Sequence, residues 1–201
     1  MMNDATNPPT PRKRIVVAMT DSTGACLGIK VLIALRRLNV DTHLVLSHWA
    51  LATIKYDTDY TPANIKALAD HVWSNHDQAA PISSGSFHAD GMIIIPCSMK
   101  SLAAVSSGYC EDLISRAADV MLKERRRLVL AVGETPLNEI HLRNMMTVTH
   151  AGAIICPQMP AFYTRPSSID DLVDQMVGRC LDLFGLDTGD FKRWNGPPMS
   201  E

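Results

Sequence analysis

Apolar residues along this chain gather in short runs separated by longer amphipathic stretches. Residues 15–19, 42–46, 92–95, 128–132 and 153–156 are such runs, four or five residues each. Too short for helices and largely unbroken, they read as strands buried on both faces, with Pro96 and Pro157 ending the third and fifth. Residues 27–38, 49–55, 62–73, 101–105, 112–125 and 136–149 read as helices, Pro62 taking a first helical position. A last helix starts near Ser168, where Ser167 with Asp170 or Ser168 with Asp171 fits a capping box. Ile169, Leu172, Val173, Met176, Val177, Cys180 and Leu181 then recur at helical spacing. Residues 75–87 are loop-rich, and no internal repeat appears. This β-α-β rhythm predicts an α/β fold: one parallel sheet with helices on both faces, its ligands held beyond the carboxyl ends of the strands.

The loops at that edge carry chemistry. After 15–19 come Thr20, Asp21, Ser22, Thr23, Gly24 and Ala25, with Gly28 a turn later. Small residues, hydroxyls and a helix start suit a single phosphate. The absence of G-x-G-x-x-G and of a Walker lysine disfavours a dinucleotide or nucleoside triphosphate. A plain capped turn fits this loop as well, and Asp21 repels phosphate. Ser98, Met99, Lys100 and Ser101 place hydroxyls and a cation at the next such helix start. Gly133 and Glu134 put a carboxylate after 128–132, and the rigid loop 157–163 delivers Tyr163. Four polar loops at one edge point to a site. Arg116, Asp119 and Lys123 share a helix face, which alone is the pattern of a solvated, salt-bridged surface.

Composition narrows the classes. The 201 residues suit one domain. A net charge of -2 carries no basic excess for nucleic acid. No apolar run nears the ~20 residues of a membrane span. Residues 1–13 are polar and read as a disordered arm, neither secretion signal nor presequence, so a cytoplasmic location is expected, with a mitochondrial one as alternative. Five scattered cysteines without C-x-x-C or Cys/His spacing read as reduced thiols, with no metal site.

Taken together, several segments resemble the UbiX/Pad flavin prenyltransferases: Ser83 to Phe87, Pro96 to Lys100, Arg116 to Val120 with Leu122 to Arg126, Glu134 to Leu137, and Pro160 to Tyr163. The resemblance runs from Arg14 to Gly196 and is closest to the fungal Pad branch. It implies a flavodoxin-like, Rossmann-like domain over 14–186 and a tail, 187–201, covering the site. It also implies transfer of a dimethylallyl group from dimethylallyl monophosphate to reduced FMN. The product, prenylated FMN, serves a UbiD-type decarboxylase, and the enzyme is a homododecamer with shared sites. By the same resemblance Ser22, Thr23, Ser47, Ser98, Met99, Lys100 and Ser101 contact FMN. Lys123, Tyr163 and Arg179 hold the donor phosphate, Glu134 is the acid/base, Arg116 lines the site and Trp194 covers it. Three positions depart from the family: Asp21 replaces Gly, Gly133 replaces Arg, and Asp57 replaces Glu at an acidic position counted with the catalytic group. The first two favour a second reading, a weakly active or non-catalytic FMN-binding paralogue. A peptidyl-cysteine decarboxylase of related fold is disfavoured by Lys123, Tyr163 and Arg179.

Overall fold

The computed structural model describes residues 11–196. Most of the expected arm, residues 1–10, and the tail end, 197–201, lie outside the described residues. In chain order the elements are β1 (Arg14–Met19), α1 (Ala25–Arg37), β2 (Asp41–Leu46), α2 (Ala50–Asp57), α3 (Pro62–Lys66), β3 (His71–Ser74), β4 (Gly91–Cys97), α4 (Met99–Ser107), α5 (Leu113–Lys123), β5 (Arg127–Val132), α6 (Glu139–Ala151), β6 (Ile154–Ile155) and α7 (Ile169–Asp182). The strands form one parallel sheet in the order β3-β2-β1-β4-β5-β6.

The unbroken apolar runs follow from two cores. Side chains alternate across a strand, so Ile15, Val17 and Met19 enter one core with α1 and α7, while Val16 and Ala18 enter another with α4 and α5. Every second residue therefore has an apolar layer to fill. Ser168 and Asp171 form the capping box that opens α7.

The expected helix over 62–73 is corrected. It stops at Lys66, and His71–Ser74 is an edge strand in register with β2, His43 opposite His71. Its identity comes from partners distant in sequence: the His71 ring stacks on His43 at 4.4 Å, and Trp73 Nε1 donates to His43 Nδ1 at 3.0 Å. Three smaller corrections follow. β4 continues through Pro96 to Cys97, β6 has only two residues, and Arg12 and Lys13 belong to the folded body rather than the arm. Arg12 donates to the carbonyls of Asn39 and Val40 and pairs with Asp70, and Lys13 donates to Phe184 O.

His43 is 3% exposed, and burial is the main cause holding its pKa down, to about 4; Arg14 and His71 add to this and Asp41 opposes it. Because Trp73 donates to Nδ1, the neutral ring carries its proton on Nε2, which leaves no lone pair there for a metal beside Asp41 and His71. Unfolded, this histidine takes up a proton near pH 6.5; folded, it resists until about 4. The unfolded state thus binds more protons in that window. Stability is full above pH 6.5 and declines as pH falls towards 4, by about 3 kcal/mol in all. His43→Gln keeps an acceptor for Trp73, and its Tm should fall less than the wild-type Tm between pH 6.5 and 4. Equal slopes would refute the assignment.

Candidate functional site

The chain leaves β1 towards β2 on one side and β4 towards β5 on the other, so the loops after β1 and β4 part and open a crevice at the carboxyl edge. Buried Thr20 pins its floor. Its N–H and hydroxyl both donate to Pro96 O, at 3.1 and 3.0 Å, and its Oγ1 accepts from Ser98 N at 2.8 Å. Ser98 caps α4, accepting from Ser101 N at 3.3 Å, and its hydroxyl lies 3.2 Å from Ser101 Oγ and 3.4 Å from Asp21 Oδ1. The N-terminus of α1 differs. Gly24 sits there at φ 98° without a side-chain cap, so the first-turn N–H groups lack a side-chain acceptor. Such a helix start suits an anion.

Asp21, Ser47, Lys100 and Ser101 line a pocket of about 260 Å³ with His48, Trp49, Asn75 and His76. Asp21 also borders a concavity of about 410 Å³ shared with Ser22, Trp49, Tyr56 and Asp57. Thr23 is exposed on the same loop and Met99 is half-buried at the start of α4. Asn75 and His76 were missed by the sequence reading because they follow β3. Once that strand is read as helix, a fifth loop end disappears.

Ser22 Oγ donates to Gly133 O at 2.7 Å, joining the loops after β1 and β5. The space beside Gly133 belongs to Gln158. A Cβ on Gly133 would stand 3.0 Å from Gln158 Nε2, and a Cβ on Gly24 would collide with Gln158 Oε1. Gln158 Nε2 donates to Ala131 O at 3.2 Å. Arg143, on the helix that follows, pairs instead with Glu139 at 2.5 Å. Nothing in the sequence singled out Gln158.

Glu134 is exposed at the end of β5, its carboxylate accepting from Thr135 N at 3.3 Å. The Tyr163 hydroxyl donates to Lys192 O at 3.2 Å, and its ring meets Trp194 edge-on at 5.7 Å. Arg179 pairs with Asp182 at 2.9 Å, one turn beyond Gln175, whose Nε2 lies 3.3 Å from the Tyr163 hydroxyl.

Arg116 and Lys123 both stand on α5, Arg116 next to the pocket-lining Ser115 and Lys123 at the far end of the helix. Arg116 donates to Ser83 O at 3.1 Å and pairs with Asp119 at 2.8 Å; Lys123 pairs with Glu124 beside Gly85. Lys123 lies just before β5 begins and Glu134 just after it ends. Six extended residues put about 20 Å between those ends. Within one chain, Lys123 therefore does not join Glu134, Tyr163 and Arg179, contrary to the simplest expectation from the sequence.

The chain matches the family described as Flavoprotein over residues 4–181. It is 57% identical over 192 residues to "Flavin prenyltransferase PAD1, mitochondrial" of Saccharomyces cerevisiae, covering 96% of this chain and 79% of the yeast protein. Among solved structures it is similar to AnUbiX (PadA1), in complex with FMN and dimethylallyl pyrophosphate. There the TM-score is 0.92 at 72% identity, over 94% of this chain and 100% of that one. It is also similar to a dodecameric FMN-dependent UbiX-like decarboxylase from Escherichia coli O157:H7, with a TM-score of 0.89 at 52% identity over 91% and 100% of the two chains. The uncapped α1 start, the hydroxyl-lined crevice and these likenesses agree: the chain belongs to the UbiX/Pad family of flavin prenyltransferases.

Proposed function

We propose that this chain transfers a dimethylallyl group from dimethylallyl monophosphate to reduced FMN, and that a UbiD-type decarboxylase receives the prenylated FMN. The observation that carries the reading is the switch-point crevice, where an uncapped helix start meets the hydroxyls of Ser22, Ser47, Ser98 and Ser101. The 260 Å³ pocket and the adjoining 410 Å³ concavity are of the order used for small ligands, about 300–1,000 Å³. Those hydroxyls and the α1 N–H groups would hold the flavin and its phosphate, with Met99 and Lys100 beside them.

Loss of the donor's phosphate needs cations and an acid at the leaving oxygen, in a site that excludes water. Tyr163 and Arg179 would bind that phosphate, Glu134 would give or take the proton there, and Trp194 with the tail would cover it. Asp57 borders the flavin side. Lys123 completes the set only when a second copy supplies it, which supports a homo-oligomer with shared sites; Arg116, on the same helix, would come with it. The E. coli relative is described as dodecameric. No helix among the described residues is long and apolar enough to cross a membrane. A cytoplasmic location is part of this proposal; the yeast relative is mitochondrial by name, and a fluorescent fusion separates the two.

Anaerobic incubation with reduced FMN and dimethylallyl monophosphate, or in parallel the pyrophosphate, followed by mass analysis of the flavin, tests the reading. Unmodified flavin retained on the protein with both donors would favour the non-catalytic paralogue. The same assay tests the departures. Asp21 adds a negative charge near the α1 start, and Gln158 fills the place beside Gly133 with a neutral amide. Asp21→Gly with Gly133→Arg, in a Gln158→Ala background that clears the space beside residue 133, should lower the donor KM about tenfold, the effect of about 1.4 kcal/mol, with little change at saturating donor. An unchanged KM would show that these two positions do not govern donor affinity.

A further inference from the structure

We propose that Cys156 and Cys180 are a peroxide-sensitive thiol pair that closes to a reversible intramolecular disulfide. Their sulfurs lie 3.5 Å apart. A disulfide needs about 2.05 Å, so bond formation requires a movement of about 1.5 Å. The two residues sit on different elements. Cys156 is the first residue after β6, half-buried, and lines a small cleft of about 40 Å³ with Arg179 and Gln158; Cys180 is buried on the inner face of α7. The other cysteines differ: the Cys97 and Cys110 sulfurs lie against backbone carbonyls, and Cys26 is exposed on α1.

The environment divides the roles. A hydrogen bond from Cys180 draws the Cys156 thiol down to about 7, against its burial and with help from the Arg179 guanidinium; the same bond, with burial, pushes Cys180 up. Cys156 is thus the thiolate and Cys180 the proton-bearing partner.

The chemistry needs one oxidant, a hydroperoxide. The Cys156 thiolate attacks a peroxide oxygen and the O–O bond breaks; with hydrogen peroxide the leaving hydroxide takes a proton and departs as water, leaving a sulfenic acid. Cys180 sulfur then attacks the sulfenic sulfur. The S–O bond breaks, the hydroxyl leaves with the Cys180 proton as a second water, and the S–S bond forms. Reduced flavin reacts with dioxygen to give hydrogen peroxide, so a protein handling reduced FMN meets this oxidant directly. The disulfide would tether the loop carrying Tyr163 to the helix carrying Arg179; that consequence for donor binding rests on the proposed function.

The bond itself can be tested without the transferase reaction, so its failure and that of the transferase reading are distinguishable. The full chain is treated with hydrogen peroxide, then mapped by non-reducing peptide mass analysis. The expected result is a linked Cys156–Cys180 peptide, lighter by two hydrogens and restored by dithiothreitol. Cys180→Ser should stop at a sulfenic acid on Cys156 that dimedone traps, and Cys156→Ser should form no bridge. Oxidation confined to Cys26, or passage of Cys156 to sulfinic acid in the wild-type protein without a bridge, would overturn the proposal.

Discussion

A Glu134→Gln protein, unfolded and reassembled with a Lys123→Ala protein, should recover about a quarter of wild-type prenyl transfer, although each variant alone should lose at least about a hundredfold. The individual losses follow from removing a general acid/base, which contributes about 10²–10⁴, and from removing a cation at a departing phosphate. The recovery follows from topology. Lys123 stands before β5 and Glu134 after it, so one chain cannot bring them together. In a symmetric assembly each site would draw its lysine from one copy and its glutamate from another, and random mixing leaves both intact in about one site in four. Initial rates of prenylated-flavin formation in the reassembled sample decide it. No recovery would place both residues of each site in the same copy, or remove Lys123 from the site.

Gly28→Ala should lower Tm by about 2–8 °C and weaken flavin binding. Gly28 lies on the inner side of α1, where an added Cβ would stand 2.5 Å from Ile95 O and 2.7 Å from Met19 Cε. The carbonyl is backbone of the central strand β4 and cannot swing aside, so the helix must lift. Helix propensity alone would favour alanine by up to about 1 kcal/mol. Overpacking against a fixed atom costs about 1–3 kcal/mol or more and wins, and in a domain of this size each kcal/mol is worth about 2–4 °C. The same lift moves the α1 N-terminus away from the crevice. Thermal melts, with flavin titration alongside, measure both, and a Tm equal to or above wild type would show that the α1–β4 contact yields more easily than the geometry implies.

The central strands were legible because burial on both faces forces apolar residues at successive positions. β3 was not. His71, Val72 and Ser74 are exposed, and the strand is defined by its register with β2 and by His43, far back in the chain. A local pattern cannot report a partner nearly 30 residues away. The loss carried through to the site, since Asn75 and His76 line the pocket from the end of that strand. The loops at Ser22, Ser98 and Glu134 were legible because each follows a strong strand and inherits its direction. Resemblance named Arg116 and Lys123 as site residues but could not say which copy uses them. Gln158 gave no signal, being one polar residue in a proline-rich loop whose importance lies in what two distant glycines leave open.

That last contact also constrains how the sequence can change. Gln158 lies between Gly24 and Gly133, where a side chain at either glycine meets its carboxamide. The three positions form an epistatic unit: a substitution at one is neutral or harmful according to which residue stands at another. Enlarging residue 133 first crowds the amide, whereas shortening residue 158 first leaves the larger side chain room. Mutational routes that end at the same pair of residues are therefore unequal, and the order of steps decides which of them a lineage can take.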